Sequence, residues 1–147
     1  MFGRLEKICE KYKNIELIKK GVAAQNTKCK LYHSEFTKYD KEIFSRSSSI
    51  YANKSNVVAD NYTEIECIDL CEFIDNLKEP VDLLKMDVEG AEFDILYKMI
   101  TQGTYKKVKT ILVEKHDDVI PDIVKKAGIV KKLIREKNIQ NIDLNWR

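Results

Sequence analysis

The chain has 147 residues, 44% of them hydrophobic and 34% charged, with 26 basic against 24 acidic side chains. That is enough for one domain with a real core, and too apolar for a disordered chain. A net charge of +2 gives no global field to steer nucleic acid, and no apolar run approaches membrane-spanning length, so neither nucleic acid nor membrane is expected as a partner. The Lys pairs at Lys19-Lys20, Lys106-Lys107, Lys125-Lys126 and Lys131-Lys132 are scattered, as on solvated surfaces. Cys9, Cys29, Cys67 and Cys71 contain no C-x-x-C, and no apolar signal segment opens the chain. Reduced thiols in a cytoplasmic protein are the expectation.

Phe2, Leu5, Ile8, Cys9 and Tyr12 recur at helical spacing, so the chain is expected to start at once on an amphipathic helix that ends at Lys13-Asn14. Ile15 to Ala24 reads as a strand, and Lys28 to Ser34 alternates as a half-buried antiparallel strand does. Thr37 to Asn56 carries no period and reads as a long surface loop. The sequence permits its Ser47–Ser49 run and Tyr51 to form a lid over the site. Tyr62 to Leu70 alternates again, and Asp69 is positioned to cap a short helix with Phe73, Ile74 and Leu77 on its inner face. Pro80 ends that segment. Val81 to Met86 then makes a short apolar run, read as a buried strand, that stops at Asp87.

After Gly90, the spacing of Ile95, Leu96, Met99 and Ile100 predicts a helix over Ala91 to Ile100, with Gly103 as its terminator. Val108 to Glu114 is a second apolar run ending on an acid, followed by Lys115-His116-Asp117-Asp118. Pro121 suits the first turn of a helix through Ala127, Val130 to Ile134 suggests a further helix, and Ile139 to Trp146 a final extended segment with Trp146 as a core anchor. Two buried strands flanking one helix imply a parallel crossover. The expected class is α/β, with a mostly parallel core and antiparallel additions.

In such sheets, ligands bind beyond the carboxyl ends of the strands. Asp87, Glu89 and Glu92 stand there, and Glu114 ends the neighbouring strand. Two readings of this acidic turn are open. Asp87 caps the helix while Glu89 and Glu92 complement its dipole, or the acids line a site. Glu92 precedes Ile95 and Leu96 by three and four residues, so it points toward the sheet and needs a partner there. His116 beside Asp117-Asp118 has metal-binding residue types, but a turn rich in Asp is the commoner meaning, and no metal is expected. With glycines only at 3, 21, 90, 103 and 128, no phosphate-cradling Gly-rich loop can be built, which argues against a GTPase reading of Asp87-Val88-Glu89-Gly90. Two histidines and no nucleophile elbow leave no Ser-His-Asp triad.

LLKMDVEGAEFDIL, from Leu83 to Leu96, resembles the signature of the FkbM-type methyltransferases. The serine-bearing loop at Ser45 to Ser49, IDLCEFI before the central strand, ILVEKH on the next and NIDLNW near the end agree with it. The resemblance implies a Rossmann-like class I methyltransferase that uses S-adenosylmethionine and methylates a hydroxyl of a sugar or other small molecule. It places Asp87 at the reacting hydroxyl as the catalytic group, with Asp87 and Val88 against the cofactor. Glu89, Glu92, Glu114 and His116 fall on the acceptor side. Against the family pattern, the first strands and the glycine-bearing cofactor loop are missing before Phe2. The expectation is therefore an N-terminally truncated domain over 1–147 with an open edge at Val81–Met86, closed in one arrangement by a homodimer. The alternative is a catalytically inactive remnant serving as a binding or oligomerisation module.

Overall fold

The computed structural model describes residues 2–34, 48–54, 57–116, 120 and 123–146. Its strands form two three-stranded sheets. In the first, β1 (Gly21–Ala23) runs parallel to β3 (Val57–Asp69), and β2 (Thr27–Ser34) lies antiparallel on the other side of β3. In the second, β4 (Val81–Met86), β5 (Val108–Val113) and β6 (Ile142–Asp143) are all parallel, in that order. The helices are α1 (Phe2–Cys9), α2 (Leu70–Asp75), α3 (Glu92–Gln102) and α4 (Val124–Glu136). This is the expected α/β class, with parallel strands at the centre and an antiparallel addition. Among the described residues β1 and β4 are not paired, so β4 is hydrogen-bonded on one side only. No helix among them is long and apolar enough to cross a membrane.

The core gathers around α3. Phe93, Ile95, Leu96, Met99 and Ile100 pack with Met86 of β4, with Val108, Ile111 and Val113 of β5, and with Ala127 and Val130 of α4. Burying each large side chain contributes about 1.5–3 kcal/mol before entropy is charged. Gly103 ends α3 in the left-handed region (φ 88°) with its N–H donated to Met99 O, as expected of a terminator. Asp69 caps α2 as its position implied, accepting from the N–H groups of Cys71 and Glu72.

Several elements differ from the sequence pattern. The apolar run of β4 is not buried on both faces. Only Met86 is fully inside, and Leu83 is 57% exposed, because β4 is an edge strand. The first strand shrinks from Ile15–Ala24 to Gly21–Ala23, the three residues that pair with Cys67 to Asp69 of β3. Leu5, Ile8 and Tyr12 stand exposed, so these positions of the amphipathic stripe pack no core, and the regular helix stops at Cys9. The inner face of α2 is Leu70, Cys71 and Ile74, so of the three residues expected there only Ile74 is buried, and Phe73 and Leu77 stand outside. The two helices expected after Pro121 are one, α4, because exposed Gly128 is accommodated without a break. Pro121 and most of the Thr37–Asn56 loop lie outside the described residues. Only Ile142–Asp143 of the last segment is strand. Trp146 is half-buried, with the Lys85 ammonium 4.3 Å from its ring centroid, and is not a core anchor.

Candidate functional site

The chain reverses from β4 into α3 within five residues. Glu89 takes a left-handed φ of 53° and Gly90 a φ of 125°, which is how a strand end turns so sharply into a helix start. A Cβ on Gly90 would stand 2.7 Å from Tyr51 Cδ2 and 2.8 Å from Ile120 Cδ1, so there is space there for glycine alone. The first α3 turn has no side-chain cap. Its N-cap position is Ala91, so Asp87 does not cap it, and the capping reading of that residue is set aside.

The acids divide into two kinds. Glu92 is fully buried: one oxygen accepts the Gly90 N–H at 2.7 Å and the other meets His116 Nδ1. Glu89 is half-buried and pairs with His116 Nε2 at 3.2 Å and with the buried Lys54 ammonium. His116 is thus clasped by two carboxylates. Burial opposes its charge, but the hydrogen bonds it donates to Glu89 and Glu92 overcome that and carry its pKa from 6.5 to about 10. It is an imidazolium at neutral pH. Burial likewise works against ionised Glu89, yet His116 and Lys54 hold its pKa below the ordinary carboxylate value.

Asp87 and Glu114 are the second kind. The β4–β5 register sets Met86 beside Val113, so these acids follow at matching strand ends, and the Glu114 N–H donates to Met86 O at 2.9 Å. Asp87 is exposed and Glu114 half-exposed, and among the described residues neither has a cationic partner. The ligand atoms of Asp87, Glu89 and His116 lie within 4.8 Å of one another, a spacing a divalent cation would accept. Lys54 and the His116 imidazolium already occupy that ground as countercharges. A metal would have to strip a proton from His116 and displace Lys54 from Glu89.

A covering segment completes the site. Ser49 pairs with Tyr32 of β2 in both directions, at 2.7 and 3.0 Å, and its Oγ donates to Glu89 O at 2.5 Å. The Tyr51 hydroxyl donates to Asp94 Oδ2 at 2.7 Å, so its ring lies on Gly90. Ser48, Ser49 and Tyr51 therefore lie where a lid was expected, while Ser47 is outside the described residues. Val88, expected against a cofactor, is half-buried between Asp87 and Glu89. Sequence reasoning missed Lys54. Nothing marks one lysine among many in an aperiodic loop as the buried partner of an acid 35 residues on.

With this strand–acid–glycine–helix geometry in place, a comparison with protein families matches the methyltransferase FkbM domain over residues 5–139. The chain belongs to the FkbM methyltransferase family. No curated protein and no solved structure matches it. The match runs from within α1 past the end of α4 in this FkbM domain, and includes Asp87, Glu89, Glu92, Glu114 and His116.

Proposed function

We propose that this FkbM domain takes part in methyl transfer from S-adenosylmethionine to a hydroxyl of a sugar or other small molecule, with Asp87 as the proton acceptor. The observation that carries the reading is the division of the acids. Glu89 and Glu92 are neutralised inside the fold by Lys54 and His116, while Asp87 stays exposed and unpaired among the described residues at the end of β4. A base must reach the hydroxyl it deprotonates, and Asp87 can. Its carboxylate and Val88 are the groups of this chain that would face the cofactor, and an exposed anion suits a sulfonium cation. When bound, the cofactor supplies an electrophilic methyl group. The protein's share is to hold the acceptor oxygen in line, take its proton on Asp87 and orient the sugar with Glu114 and the outer side of Glu89. Glu92 and His116 act through the turn they fix.

A second reading is a catalytically silent binding or oligomerisation module. It is favoured by one observation: β4 has an unpaired edge among the described residues, with Leu83 exposed beside it, and such an edge accepts a strand from another copy. Calorimetric titration with S-adenosylhomocysteine separates the two. A saturable heat is expected for the methyltransferase. Silence at millimolar ligand would overturn independent activity for this chain and leave the module.

A further inference from the structure

Cys29 of β2 and Cys67 of β3 are free thiols on one face of the first sheet. The antiparallel register pairs Thr27 with Cys67 and Cys29 with Ile65, so the two cysteines are diagonal neighbours. Strand twist draws one diagonal of such a pair together, and here the two thiols share a hydrogen bond. Gly21 of β1 leaves the space that the Cys67 sulfur fills, since a Cβ there would stand 2.7 Å from Sγ. The two sulfurs differ in access. Cys67 is 4% exposed, and burial together with the Cys29 contact pushes its pKa up to about 12, so it keeps its proton. Cys29 is half-buried and lines a cavity of about 420 Å³ together with Ala23, Thr27 and Ile50. A small oxidant in that cavity meets Cys29 first.

We propose that Cys29 and Cys67 form a reversible disulfide that clamps β2 to β3 and holds the covering segment over the acid turn. The chain between the two cysteines contains that whole segment, Ser48 to Lys54 included. Ser49 is tied to Tyr32, which follows Cys29 on β2, and its Oγ donates to Glu89 O. Hydrogen peroxide is the oxidant. The Cys29 sulfur takes one of its oxygens as the O–O bond breaks, which leaves a sulfenic acid and releases one water. The Cys67 sulfur then attacks Cys29. The S–S bond forms, the S–O bond breaks, and the Cys67 proton departs with the hydroxyl as a second water. Two thiols lose two electrons in all, and one peroxide gains them. Small thiols of the glutathione class return the pair to the reduced form by exchange. Closing the bond takes the sulfurs from hydrogen-bond contact to about 2 Å, and β3, exposed along most of its length, is free to make that adjustment. The bridge does not depend on the methyl-transfer reading, whereas the reaction that it gates does.

The test treats the whole chain with hydrogen peroxide, alkylates the remaining thiols under denaturing conditions and maps the peptides by mass spectrometry. Peptides joined through Cys29 and Cys67 are expected, with Cys9 and Cys71 alkylated and dithiothreitol reversing the join. Deuterium exchange at the Tyr32 and Ser49 amides should slow at least about tenfold in the oxidised protein. Cys29→Ser should abolish both the joined peptides and the slowing. Cys67→Ser should leave Cys29 as a sulfenic acid that dimedone traps. Cys67 is buried, so the Cys29 variant, at a half-buried position, keeps the test open if the other fails to fold. Sulfinic acid on Cys29 beside an unmodified Cys67, or joins made through Cys9 or between chains, would overturn the bridge. A bridge that leaves Ser49 exchange unchanged would overturn the clamp. A silent cofactor titration bears on neither readout, so the two readings fail separately.

Discussion

Asp87→Asn is expected to lower methyl transfer by about 10²–10⁴-fold with the fold unchanged. The amide keeps the shape of the side chain and removes its capacity to take a proton in the transition state. Asp87 is exposed and has no cationic partner among the described residues, so the cost to stability should stay within about 0.5 kcal/mol. Steady-state turnover, with urea unfolding as the control, separates the two quantities. Wild-type turnover in the variant would exclude Asp87 as proton acceptor. A large loss of stability would place it among the structural acids with Glu92.

His116→Gln is expected to destabilise the domain by about 3–5 kcal/mol, the scale for breaking a buried ion pair from one side. Glu92 has no solvent contact, and without the imidazolium its charge loses the cation that justifies burying it. Glutamine can still donate a hydrogen bond but carries no charge. Adding Glu92→Gln should return part of the loss, so that the double variant is more stable than the sum of the single ones predicts. The pH dependence has a definite sign. The His116 pKa is raised from 6.5 to about 10, so its stabilisation is complete below about pH 6.5 and drains away as pH rises toward 10. Glu89 is shifted down, so its contribution is present above its ordinary pKa of 4.5 and is lost as acid protonates it. Urea midpoints of wild type and His116→Gln should therefore converge between pH 6.5 and 10. A gap that stays constant across that range would mean the ion pairs are not its source.

The segment from β4 into α3 was legible in the sequence because its signals are local. An apolar run, an acid, one glycine and a 3.6-residue period all lie within about twenty residues, and the family signature falls on the same stretch. The cap at Asp69 and the terminator at Gly103 were legible for the same reason. The extent of β1 was not, since it is set by a partner strand more than forty residues away. Nor was the exposure of Leu83, because apolarity does not reveal whether a strand has neighbours on both sides. Within the site, the need of Glu92 for a partner could be read from helical spacing. That the partner is His116 depends on the parallel register of β4 and β5, and no local pattern encodes it.

The two sheets also divide the molecule energetically. The central apolar cluster draws on the second sheet and on α2, α3 and α4, while β2 and β3 together bury little beyond Ser34, Cys67 and the Asp69 that ends β3. Such a ribbon can open as a cooperative unit of its own, at less than the cost of global unfolding. Its amides should then exchange with deuterium before those of β5, and equal protection in both would remove the idea. The covering segment is tied to that ribbon through the Ser49–Tyr32 pair, so each opening loosens Ser49 from the carbonyl of Glu89. Exposure of the acid turn and the breathing of an outlying hairpin would be a single thermal event. Solvent entry at the site would then be set by the least stable part of the chain, while the His116 clasp stays shut.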